Sequence, residues 1–152
     1  MTFTTFADLE AADETPLFFV EPRGDKPADP RTWPEAWRQT EFVSYLRRKY
    51  PSVVVSSFAN EGKRGQRMAA KMKGMGLLAG MPDTVVIWDG GMAFLEWKGW
   101  DARGQAGKLS QQQVETCNRI HRNGHPVGCF YRGKVAIDWL RSLGAPLKGD
   151  LG

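Results

Sequence analysis

Three residues between Gly80 and Lys98 have types and spacing suited to hydrolysis: Asp83, which enters an apolar run, and Glu96 and Lys98, which leave a second one as Glu-Trp-Lys. Two carboxylates brought side by side repel each other when ionised unless a cation sits between them. A hard divalent ion is the natural resident, because Mg2+ takes one or two carboxylates, keeps waters and completes its shell with substrate phosphate. The Trp97 backbone carbonyl could add a ligand. Lys98 would orient or activate an attacking water, or stabilise charge developing on a phosphate. Singly these signals are weak, since Glu-x-Lys on an exposed strand is ordinarily an ion pair of little energetic worth. Together, in this order, they are more specific.

A β-hairpin has to position these residues. Thr84–Trp88 and Met92–Trp97 are short apolar, β-branched or aromatic runs, and Gly90-Gly91 between them is a strong turn signal. A two-residue Gly90-Gly91 turn pairs Asp89 with Met92, Trp88 with Ala93, Val85 with Glu96 and Asp83 with Lys98. Alternation along each strand then turns Asp83, Val85, Glu96 and Lys98 to one face. A three-residue turn would send Asp83 to the other face, so turn length decides whether the site exists.

Around the hairpin the pattern is that of an α/β domain with a mixed sheet flanked by helices. Residues 1–31 read as an acidic, Pro-containing arm whose Leu17-Phe18-Phe19-Val20 island could add an edge strand or pack on a partner; residues 32–152 read as the body. Thr32-Trp33-Pro34-Glu35 fits a capping box that opens a helix running to about Tyr50, where Pro51 stops it. Phe42, Val43, Leu46 and Tyr50 share one face of that helix, and Glu41 lies off it, as an exposed helical acid does. Ser52–Phe58 reads as a strand and Arg67–Met75 as a helix. Leu109–Val114 is a well-formed helix start, with Ser110 as N-cap, Gln113 closing a capping box and Leu109 against Val114. Val127–Tyr131 is a further strand and Lys134–Leu143 a final helix.

The chain has 152 residues, enough for one domain with a real core, and a formal net charge of +4. Seven of its 17 acids and three of its 21 Lys and Arg residues fall in residues 1–32, so the remainder is strongly basic. A basic body attracts polyanions, nucleic acid first. The densest run, Lys63, Arg64, Arg67, Lys71 and Lys73, is either a phosphate-contacting surface or a solvated basic helix. Gly99–Lys108 carries three glycines with Trp100, Arg103 and Lys108. Such a loop should be mobile. It could close over nucleic acid with Trp100 stacked on a base, or be an ordinary surface loop. No apolar run approaches a membrane span, and the first residues lack a signal-peptide pattern, so a cytoplasmic protein with no membrane partner is expected. Two cysteines imply no disulfide framework. Cys117, His121 and His125 recur at intervals of four, yet Gly124 ends the helix before His125 and Cys117 faces the core, which argues against zinc.

Five ordered stretches, Asn60-Glu61-Gly62-Lys63-Arg64, Lys73-Gly74-Met75-Gly76, Ala79-Gly80-Met81-Pro82-Asp83, Phe94-Leu95-Glu96-Trp97-Lys98-Gly99 and Leu109-Ser110-Gln111-Gln112-Gln113, resemble the VRR-NUC branch of the PD-(D/E)XK nuclease superfamily. The resemblance spans roughly Thr40 to Leu143. It implies a restriction-endonuclease-like fold and Mg2+- or Mn2+-dependent cleavage of DNA phosphodiesters. It also implies a homodimer acting on branched DNA such as four-way junctions. By position it makes Asp83 and Glu96 metal ligands and Lys98 the catalytic lysine. Glu41 would be the acid of the first helix and Gln113 the polar residue of the helix after the sheet. Gln111 stands where the family usually has Pro, a position that only presets the first turn. Two other readings fit parts of the pattern. A non-catalytic DNA-binding or assembly protein could keep the fold, and a small-molecule metallohydrolase fits the ligands but not the charge distribution.

Overall fold

The computed structural model describes residues 14–58, 66–76 and 78–148. Its centre is a hairpin of β3 (Thr84–Trp88) and β4 (Gly91–Trp97). Trp88 opposes Gly91 and Val86 opposes Ala93. The turn is therefore Asp89-Gly90, not Gly90-Gly91. Val85 faces Phe94 rather than Glu96, and Asp83, one residue before β3, comes opposite Glu96 rather than Lys98. Because the register moves by an even number of residues, the parity that unites Asp83, Glu96 and Lys98 survives. The shift has a local cause. Gly90 takes φ 88°, a left-handed value suited to glycine, while a Cβ on Gly91 would fall 2.6 Å from the Trp88 ring. Gly91 is thus a strand residue under an indole.

Three more strands complete the sheet: β1 (Phe19–Val20), β2 (Val54–Ser57) and β5 (Val127–Phe130). The order is β1-β5-β4-β3-β2, with β1 and β4 parallel to β5 and the β4-β3-β2 meander antiparallel. The helices are α1 (Glu35–Lys49), α2 (Gln66–Gly74), α3 (Gln111–Arg122) and α4 (Gly133–Ser142). The architecture is α/β with a mixed, open five-stranded sheet flanked by helices.

Strand alternation divides the sheet into two faces with different partners. Val86, Trp88, Ala93, Leu95, Trp97 and Phe130 pack with Phe42, Leu46 and Tyr50 of α1 and its cap, and with Ala136, Ile137 and Leu140 of α4. Enclosing each large side chain there, such as Leu46, Leu95 or Leu140, is worth about 1.5–3 kcal/mol. On the other face Val127 and Cys129 of β5 join Phe18 and Cys117 of α3 in a smaller cluster, with Phe94, Leu109 and Ile120 packed against it. Asp83, Glu96 and Lys98 belong to this second face.

The expected capping box at Thr32 does not form. Thr32 ends a short 3-10 turn, Pro30–Thr32, with its hydroxyl donating back to the Asp29 carbonyl at 2.8 Å, which places it two residues ahead of the N-cap position of the next helix. Helix α1 instead starts at Glu35, with Pro34 as an N-cap lacking a side-chain hydrogen bond, and ends before Tyr50 and Pro51 as expected. The arm is not separate from the body from Glu14 onward: β1 extends the sheet, and buried Glu21 accepts the Tyr131 and Arg132 backbone N–H groups at 3.1 and 3.0 Å and pairs with the Arg132 guanidinium. Among the described residues no helix is long and apolar enough to cross a membrane.

Candidate metal centre

Two glycines let the surrounding chain approach closely enough to assemble the site. A Cβ on Gly80, whose φ is 82°, would fall 2.2 Å from the Gln112 carbonyl oxygen, and Thr116 of α3 donates its hydroxyl to the Ala79 carbonyl at 2.7 Å. Together with fully buried Pro82, this pins the approach to β3 onto α3 and fixes Asp83. On the exit side, a Cβ on Gly99 would fall 2.2 Å from the Trp33 carbonyl oxygen, and the Trp100 N–H donates to that same oxygen at 2.9 Å. The end of β4 therefore passes directly under the start of α1.

That passage brings in an acid that pattern reading did not assign. Carboxylate oxygens of Glu35, Asp83 and Glu96 all lie within 4.8 Å of one another, the one such cluster of potential ligands among the described residues. Glu41 is not part of it. It sits more than a helical turn further along α1, exposed, in a depression lined by Trp37, Tyr45 and Lys134. Spacing along the chain cannot separate the two acids; the Trp33–Gly99 contact does.

Glu96 is 1% exposed, and its Oε1 has no hydrogen-bond partner. Its Oε2 accepts from Gln113 Nε2 at 3.2 Å and lies 3.8 Å from Lys98 Nζ. Burial above all, then the charge and hydrogen bond of Asp83, push the Glu96 carboxyl well above the usual carboxylate range; Lys98 opposes this and Glu35 adds to it. Asp83 Oδ2 accepts the Trp97 backbone N–H at 2.9 Å, which fixes the aspartate against β4. Lys98 Nζ donates to Gln113 Oε1 at 3.0 Å. Gln113 also keeps its helix-capping bond from the Ser110 N–H at 2.9 Å. Gln113 thus closes the cap and contacts both Lys98 and Glu96, and its amide orientation follows from the partners: oxygen to the ammonium, nitrogen to the carboxylate.

The donor set fits a divalent cation. Three carboxylates face one ammonium, and an enclosed carboxylate oxygen is orphaned among them. Glu35, Asp83 and Glu96 are the residues that would hold the ion.

The remaining sequence candidates are dispersed. Lys63 and Arg64 lie outside the described residues. Arg67, Lys71 and Lys73 are exposed on α2, and Arg103 and Lys108 on the loop after β4. Trp100 is not available to a base. It is 5% exposed, 5.3 Å from the Tyr131 ring, with the Arg38 guanidinium 4.8 Å from its own ring centre. The loop that was expected to move is built around Asp101, whose Oδ1 accepts the Arg103 and Gln105 N–H groups, each at 2.9 Å. Of the considered zinc set, Cys117 is a buried thiol pushed up to about 12 by burial and by the charges of Glu96 and Asp83, while His121 and His125 are exposed.

Compared with family models, with curated proteins and with solved structures, the chain matches none.

Proposed function

We propose that this protein is a metal-dependent DNA endonuclease with a restriction-endonuclease-like core, hydrolysing phosphodiesters with Mg2+ or Mn2+. The observation that carries the reading is the convergence of Glu35, at the start of α1, with Asp83, Glu96 and Lys98 of the hairpin, in a chain whose body is basic. The resemblance to VRR-NUC nucleases, which shares Asp83, Glu96 and Lys98 with this site, points the same way. Mg2+ or Mn2+ held by the three carboxylates would act as a Lewis acid on a phosphoryl oxygen and acidify a bound water. The chain's own contributions are distinct. Lys98 supplies a positive charge beside the scissile phosphate. Gln113 holds Lys98 and Glu96 in fixed relation, and the Trp97 amide fixes Asp83.

Purified protein should cut DNA in Mg2+ or Mn2+ and not in EDTA. An assay across single-stranded, duplex, flap and four-way DNA identifies the preferred structure, for which the resemblance favours branched DNA. Folded Glu96→Ala and Lys98→Ala proteins should lose at least a hundredfold in rate, on the scale of removing one charge-stabilising group. Full activity in either would sink the reading, and binding without cleavage in every metal would turn it into a non-catalytic DNA-binding protein. The homodimer implied by the resemblance is tested by light scattering, where a monomer at high concentration removes it.

A further inference from the structure

Beside the acidic cluster, the segment 23–28 and the loop 104–108 face each other across a cleft of about 870 Å³. Its lining includes Arg23, Lys26 and Lys108, with Asp25 as the single acid, and Trp33 as an aromatic wall. Both walls are fixed by hydrogen bonds. Arg132 Nη2 donates to the Arg23 and Asp25 carbonyls at 2.9 and 2.8 Å, and Gly24, at φ 61°, leaves space that any Cβ would take from that guanidinium. Opposite, Asp101 folds the loop so that Gly104 accommodates the Lys26 stem, with Lys26 Nζ 5.6 Å from the Trp33 ring centre.

The cleft walls adjoin the carboxylate cluster through their chain neighbours. Trp33 is two residues from Glu35. Lys108 follows Gly107, where a Cβ would stand 3.5 Å from the Lys98 stem and 3.9 Å from Glu35 Oε2. We propose that this cleft seats the phosphate backbone of a single nucleic-acid strand and feeds it to the metal centre. Its volume falls in the range of small-ligand pockets, roughly 300–1,000 Å³, room enough for a few nucleotides of one strand. A preformed basic groove with an aromatic wall is the arrangement that tracks single strands. The inference rests on the nuclease reading and moves the principal phosphate contacts away from α2.

The test is fluorescence anisotropy with a labelled oligothymidylate in EDTA, over a range of salt, alongside cleavage in Mg2+ and Mn2+. Arg23→Ala/Lys26→Ala/Lys108→Ala should weaken binding at least tenfold and lower the salt slope by about 2, at roughly 0.7 per single-strand phosphate contact. Arg23→Gln/Lys108→Gln, which leaves Lys26 on Trp33, should show the same trend if the triple variant folds poorly. Arg67→Ala/Lys71→Ala on α2 should lose less than threefold. Cleft variants that bind like the wild type, a larger loss from the α2 pair, or a wild type that does not bind at low salt would each overturn the proposal. Cleavage by a wild type whose cleft variants bind normally would overturn the cleft and leave the nuclease. Cleft-dependent binding without cleavage in any metal would do the reverse.

Discussion

Two basic, glycine-bearing segments flank the hairpin in the sequence, and the fold treats them in opposite ways. Along α2, Arg67, Met68, Lys71 and Lys73 are exposed, and Met75 just beyond it is 77% exposed. The loop after β4 has a comparable composition but is anchored by a buried indole, an aspartate that folds the chain on itself, and a backbone bond from the Gly107 N–H to the Gly99 carbonyl at 2.8 Å. Glycine content therefore does not tell a solvent-exposed segment from a clamped one. The anchors do, and here they are Trp100 and Asp101.

The contrast can be broken most directly at Trp100. Trp100→Ala should destabilise the fold by about 3–5 kcal/mol in urea unfolding, as truncation of a buried aromatic does, whereas Met68→Ala should stay within about 0.5 kcal/mol. Equal costs would mean that the two segments are held alike. A smaller effect is expected at Glu21, whose carboxylate fixes the Arg132 side chain behind the clamped loop. Glu21→Gln should cost about 1.5–3 kcal/mol, the range for losing a hydrogen bond to a charged group, and a stability within error of wild type would show that the Arg132 clamp is dispensable.

Within the enclosed site the sharper probe is pH. Glu96 has a native pKa raised above its ordinary 4.5. Between those values the folded protein keeps a proton that the unfolded chain has released, so stability falls as pH rises through that window and is unaffected by this group below it. In EDTA the melting temperature of Glu96→Gln should therefore fall less steeply with pH than that of the wild type. Parallel curves would mean that Glu96 is not the strained acid. Lys71→Ala should move neither stability nor its pH dependence beyond about 0.5 kcal/mol, the smallest effect of the set, checked in the same melts.

How much of this was legible in the sequence depends on range. The hairpin, the α3 capping box and the C-terminal end of α1 are written in neighbouring residues, and Ser110, Gln113 and Pro51 announce them. The face shared by Asp83, Glu96 and Lys98 was also legible, because parity needs only a count, and it survived a turn placed at Gly90-Gly91 that forms at Asp89-Gly90. Glu35 was not legible. Its membership depends on Gly99 meeting Trp33, a contact between distant stretches with no periodic signal, and pattern reading assigned it to a capping box instead. Trp100 failed for the same reason: nothing local to Gly-Trp-Asp foretells Tyr131 and Arg38 closing around the ring.

Strand β1 adds only two residues to the sheet edge before Glu21 turns inward and donates its N–H to the Cys129 carbonyl at 2.9 Å. Pro22 follows and has no N–H to offer. A strand from another molecule arriving at that border finds too short a ladder to extend, and a ladder stopped by proline on its next rung. The border is thereby protected against templated stacking of chain upon chain. Any association of two copies on this side must rely on side chains such as Leu17 and Phe19 meeting their counterparts, and not on one sheet running through both.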